Sequence, residues 1–190
     1  MRSGKMSRIQ EAIIFATLKH EGQKRKGTEI PYIVHPMEVM QILTALNCSE
    51  NVIIAGILHD TLEDTDTRPE EITERFGADV LAIVQTESED KSKTWKERKQ
   101  ATIDRVKTDS TETKIVCFAD KLSNVRSMAR DKRTIGAELW KRFNSDKESI
   151  AWYYRGIADG LKNASAACDC CKFARLYKEF PETIDFVFSD

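Results

Sequence analysis

The sequence predicts an all-α fold. Three observations carry the prediction: apolar residues recur at helical spacing along most of the chain, capping and breaking residues punctuate those runs, and no stretch of useful length alternates as a half-buried strand does. At 190 residues the chain is long enough to bury a real core, and 1–190 reads as a single domain.

Taken in order, Ser7 caps a first helix with Ile9, Ala12, Ile13, Ala16 and Leu18 on its apolar stripe, and Gly22 ends it. The segment from Gly22 to Pro31 is glycine-flanked and carries Lys24, Arg25 and Lys26. It reads as an exposed loop able to bind phosphate, after which Tyr32-Ile33-Val34 turns back into the core. His35-Pro36 opens a second helix, because proline is accommodated in a first turn, and Met37, Val39, Met40, Ile42, Leu43 and Leu46 form its inner face. Ser49 caps a third helix that runs through Val52–Leu58 into His59-Asp60-Thr61-Leu62-Glu63-Asp64.

Thr67-Arg68-Pro69-Glu70 reads as a capping box for a short helix that Gly77 stops, and Ala78 to Thr86 as another helix. Glu87 to Thr94 is polar throughout, a connector able to close over a ligand. A helix from Trp95 to Lys107 follows. The next is capped within Thr108–Thr111, and its apolar run Ile115–Ala119 delivers Asp120 at its end. Arg133–Phe143 and Ser145–Leu161 read as two further helices, with Trp152, Tyr153 and Tyr154 packing in the core first and lining a pocket second. From Ala164 the chain reads as a helix to about Phe180, a proline break and a short apolar end.

Thirty basic against 31 acidic residues, a formal net charge of −1, argue against a general nucleic-acid or membrane-surface binder. The longest apolar run is too short to span a bilayer, and no secretory leader is expected, so the expected address is the cytoplasm. Five cysteines without a regular framework fit a reducing compartment. The cluster Cys168-Asp169-Cys170-Cys171 lacks a second spaced pair and reads as reduced thiols on a late helix before it reads as a zinc site.

The chemistry concentrates in HDTLED. His59 and Glu63 are four apart, as are Asp60 and Asp64, so on a helix these groups share one side. A His and several carboxylates beside a core helix call for compensation, which a cation supplies. Adding His35 and Asp120 gives a mixed nitrogen and oxygen donor set suited to Mn²⁺, Fe²⁺, Co²⁺ or Zn²⁺. Each residue alone is better explained by a structural role than by a catalytic one; it is their combination that points to a metal.

Four motifs carry a family resemblance: RKGTEIPYIVHP (Arg25 to Pro36), HDTLEDT (His59 to Thr65), Glu74-Arg75-Phe76-Gly77, and ADKLSNVRSM (Ala119 to Met128). The order H…HD…D resembles the HD phosphohydrolases, and within them the hydrolase domain of the RelA/SpoT homologues, over roughly residues 9–162. Residues 163–190 are left as a C-terminal helical extension. The resemblance implies an HD-domain helical bundle with a mononuclear metal site in its core, similar to a free-standing small alarmone hydrolase. It implies removal of the 3′-pyrophosphate from guanosine tetra- or pentaphosphate, with Mn²⁺ the usual ion. Carried over by position, it makes His35, His59, Asp60 and Asp120 metal ligands, and assigns Glu63 and Asp64 to water activation and proton transfer. It gives Arg25, Lys26, Asn124 and Ser127 contacts to the nucleotide.

The expected partner is a small-molecule nucleotide, with no nucleic acid and no membrane; the sequence sets no oligomeric state. Three departures from the family pattern are visible: a loop before His35 one residue longer than usual, Ser123 where histidine is usual, and a connector after Thr86 unlike the usual segment. They leave open an HD hydrolase of another nucleotide or phosphate ester. A binding module in which a metal only braces the fold is the third reading, and the spare acids Glu63 and Asp64 speak against it.

Overall fold

The structure is a computed structural model that describes residues 6–88, 90–162 and 171–189. The chain divides into two compact units, residues 1–89 and 90–190, and the division falls in the polar connector. The described residues contain helices and no strand; one isolated antiparallel bridge pairs Lys24 with Pro31.

The first unit holds α1 (Arg8–Lys19), α2 (Val34–Ala45), α3 (Glu50–Leu58), the four-residue α4 (Thr61–Asp64), α5 (Pro69–Phe76) and α6 (Ala78–Glu87). α3 is its centre. Every residue from Val52 to Leu58 is buried, as expected of a helix that is apolar all round, and α1, α2 and α6 pack against it. Gly56 lets α2 come close: a Cβ there would stand 2.2 Å from Leu43 Cδ1 and 3.1 Å from Val39 Cγ1. Ser7 forms a capping box with Gln10 at the start of α1, and the Ser49 hydroxyl accepts the Val52 amide at the start of α3.

Several expectations for this unit are corrected. Leu18 is 65% exposed and Phe15 takes its place inside, meeting Phe76 edge to face at 5.8 Å. Val34 is also exposed, so only part of Tyr32-Ile33-Val34 turns inward. The N-cap of α5 is Arg68, one residue later than expected, because Pro69 occupies the first helical position and Glu71 reaches back to the Arg68 amide at 2.9 Å. Most consequential, α3 does not run through HDTLED: it stops at Leu58, and α4 begins at Thr61. At the break, side chains cover the carbonyls of the last turn. His59 Nδ1 lies 2.8 Å from the Gly56 oxygen and the Thr61 hydroxyl donates to the Leu58 oxygen at 2.6 Å.

The second unit holds α7 (Trp95–Thr108), α8 (Thr111–Ile135), a 3-10 turn (Gly136–Arg142), α9 (Lys147–Leu161) and α10 (Cys171–Phe188). α9 packs on α7 at two glycines, Gly156 and Gly160, whose added Cβ atoms would stand 2.6 Å from Ile103 Cδ1 and 2.3 Å from Val106 Cγ1. α10 packs on α8 through an aromatic cluster in which Phe118 meets Phe173 at 5.2 Å and Phe180 at 5.7 Å.

Here too the structure differs from expectation. α8 is one 25-residue helix, so Asp120 lies inside it rather than at its end, and Arg133–Phe143 is split between the last turn of α8 and the 3-10 turn. Gly136, at φ +56, makes that switch. α10 continues through Pro181. A proline inside a helix costs on the order of 3 kcal/mol, which is offset here by burial of Phe180, Ile184, Val187 and Phe188 on the same helix. Tyr153 and Tyr154 are buried, as core packing of α9 required. Cys168 to Cys170 lie outside the described residues; Cys48 is half-buried and Cys117 buried.

Candidate active site

In the first unit the break between α3 and α4 gathers the donors. His35, in the first turn of α2, is 3% exposed, and His59, capping α3, is 1% exposed. Their Nε2 atoms are 3.2 Å apart, and the Asp60 Oδ2 lies 2.9 Å from His59 Nε2 and 3.6 Å from His35 Nε2. The Gly56 carbonyl accepts the His59 Nδ1 proton, which leaves the Nε2 lone pair directed at this convergence. Two nitrogens on buried imidazoles and the oxygen of a half-buried carboxylate, meeting at such distances, fit a divalent first-row cation.

Glu63 and Asp64 stand on α4, the first half-buried and the second exposed. Gln23 donates to the Asp64 carbonyl at 2.8 Å, and its side-chain oxygen lies 2.7 Å from His20 Nδ1. The cationic loop is a tight clip. Arg25 N–H donates to the Ile30 oxygen at 2.8 Å, Tyr32 N–H to the Gln23 oxygen at 2.9 Å, and Lys24 pairs with Glu29. Arg25 is half-buried, with its guanidinium 5.5 Å from the centre of the Tyr32 ring, whereas Lys26 is exposed. The Tyr32 hydroxyl donates to Asp60 Oδ2 at 2.5 Å. Burial first, and the Asp60 charge second, push that hydroxyl's pKa far up, so it remains a proton donor.

In the second unit Asp120 is 4% exposed midway along α8. The Asn124 amide donates to its Oδ1 at 2.6 Å and Lys121 pairs with its Oδ2. Asp120, Asn124 and Ser127 follow the i, i+4, i+7 pattern and therefore share one face of the helix. Lys99 and Lys121 both lie over the Tyr153 ring, at 5.0 and 6.0 Å from its centre.

Thus the structure brings His35, His59 and Asp60 together, puts Glu63 and Asp64 on the next turn, and aligns Asn124 and Ser127 with Asp120. Sequence reasoning missed Tyr32, Gln23 and Lys121. Lys121 adjoins a proposed ligand and Tyr32 precedes one by three residues, so proximity in sequence was a usable signal for both; Gln23 had none.

The sequence matches the HD domain family over residues 12–144. It is 37% identical over 163 residues to the guanosine-3′,5′-bis(diphosphate) 3′-pyrophosphohydrolase MESH1 of Drosophila melanogaster, covering 84% of this chain and 88% of that one. To the protein of the same name in Danio rerio it is 40% identical over 164 residues, 85% of this chain and 88% of the relative. Among solved structures, one described as a metazoan ortholog of SpoT that hydrolyzes ppGpp superposes with a TM-score of 0.76 at 27% identity, covering 95% of this chain and 97% of the other.

Proposed function

The chain belongs to the HD domain family, and from that premise we propose that it is a metal-dependent hydrolase that removes the 3′-pyrophosphate of guanosine tetra- and pentaphosphate, yielding GDP or GTP and pyrophosphate. The observation that carries the reading is the convergence of His35, His59 and Asp60 at a helix break, with two further carboxylates on the following turn. A site built only to brace the fold has no use for Glu63 and Asp64. Because the family match runs across the polar connector, both compact units are taken as parts of one catalytic domain.

In this reading His35, His59, Asp60 and Asp120 would hold the ion, Mn²⁺ by preference, and the cytoplasm is the compartment. A divalent ion bound there would supply Lewis acidity toward the phosphate and toward water. One carboxylate of the Glu63/Asp64 pair takes a proton from the attacking water, and the other delivers a proton to the 3′-oxygen as its bond to phosphorus breaks. Gln23 holds the turn that carries them by its hydrogen bond to the Asp64 carbonyl. Arg25 and Lys26 neutralise the diphosphate, the planar Arg25 fork being suited to paired phosphate oxygens. Asn124 and Ser127, in line with Asp120, contact the nucleotide.

The test is turnover of guanosine tetraphosphate by the purified chain with Mn²⁺, following GDP and pyrophosphate together. Equimolar release of both is expected. Absence of both products, with turnover of a different nucleotide, would replace this substrate with that one.

A further inference from the structure

We propose that Tyr32 is a positioning residue that joins the cationic loop to the metal centre, its hydroxyl orienting the Asp60 carboxylate and its ring seating the Arg25 guanidinium. The proposal rests on the ion site described above and assigns to one side chain the spacing between the ion and the group that neutralises phosphate.

The Asp60 oxygen that the phenol holds, Oδ2, is the one nearest both imidazole nitrogens. A carboxylate is free to rotate about its terminal bond, and a hydroxyl donor fixed at 2.5 Å removes that freedom. The phenol is itself held. Its backbone N–H donates to Gln23 and its carbonyl accepts the His35 amide at 2.9 Å, tying it to the first turn of α2. Its ring packs against the buried His20 ring at 4.7 Å, and His20 is fastened through Gln23 to the turn that carries Asp64. The Arg25 guanidinium lies 5.5 Å from the same ring centre. Moving the ring therefore moves both an ion ligand and a phosphate-binding cation. A phenylalanine would preserve the seat of Arg25 and lose only the grip on Asp60.

Two substitutions separate these roles. In Y32F, the Kd for Mn²⁺, measured by calorimetry on the metal-free protein, is expected to rise by about 10-fold or more, as for loss of a hydrogen bond to a metal ligand. The KM for guanosine tetraphosphate at saturating Mn²⁺ should stay within about twofold, and the melting temperature of the metal-free protein should stay near wild type. In Y32L, KM should rise further, by roughly threefold or more, because the cation loses its aromatic seat. Wild-type Mn²⁺ affinity in Y32F would overturn the proposal. So would an affinity loss accompanied by an equivalent collapse in melting temperature, or a KM in Y32F as high as in Y32L. A wild-type protein that binds no divalent ion would overturn the ion site itself and this proposal with it.

Discussion

The two acid-bearing segments present their side chains by opposite means. Residues 56–64 interrupt a helix: α3 ends, two residues turn, and α4 starts, so that His59 and Asp60 converge with His35 while Glu63 and Asp64 move to a separate turn. Residues 111–135 do the reverse. They remain one helix, and Asp120, Asn124 and Ser127 appear as a straight row about 10 Å long at 1.5 Å per residue. A break concentrates donors at a point, which suits an ion; an unbroken helix spaces polar groups along a line, which suits an elongated phosphate ester. The local energetics follow the same split. The break needs side-chain substitutes for lost backbone hydrogen bonds, supplied by His59 and Thr61, whereas the helix needs only a partner for its buried acid, supplied by Asn124 and Lys121.

The largest effects are expected from replacing one proposed ligand in each segment. D60N and D120N are each expected to lose Mn²⁺ through gel filtration and to reduce guanosine tetraphosphate turnover to background, as read by metal analysis and product release. A D120N protein that keeps wild-type Mn²⁺ affinity would remove the α8 segment from the ion site. Next in size is R25A: losing a charge-assisted contact to phosphate, worth roughly 1.5–3 kcal/mol, should raise KM by about 10–100-fold and leave Mn²⁺ affinity in place.

The two glycine seats should respond differently to an added methyl group. G56A forces a methyl group against Leu43 beside the break, and G160A forces one against Val106 in the second unit. Each should cost about 1–3 kcal/mol by overpacking, or roughly 2–4 °C of Tm per kcal/mol. Only G56A should also weaken Mn²⁺ binding, because the Gly56 carbonyl holds His59. The smallest effect is expected at the half-exposed bidentate pair of Arg126 and Glu179, at 2.6 and 2.8 Å, which ties α8 to α10. E179Q should lower stability by about 1 kcal/mol or less, and added salt should shrink the difference.

Much of this was legible in the sequence, for reasons that particular residues make plain. Helix starts at Ser7 and Ser49 are set by a single side chain reaching its own third residue, so a local pattern suffices to find them. The helical run Ile115–Ala119 leading into Asp120 and the buried faces of α2 and α3 follow from periodicity, whereas the continuation of α8 to Ile135 went beyond it. The stop at Leu58 had no such signal, since His59 and Thr61 act there through side-chain contacts that a helical pattern does not encode. Pro181 misled in the other direction: its local penalty argued for a break, and tertiary burial of Phe180, Ile184 and Val187 outweighed it. Within the site, residue types pointed to His35, His59 and Asp60, which the structure brings together, but Tyr32 became visible only when its hydroxyl was found on Asp60.

The division of labour within HDTLED is tested most directly by measuring bound Mn²⁺ and guanosine tetraphosphate turnover on the same sample of the E63Q/D64N double variant. The expected result is an ion retained at wild-type affinity with kcat lowered by about 10²–10⁴-fold, the size of lost acid–base catalysis. A wild-type kcat, or loss of the ion together with the rate, would contradict it.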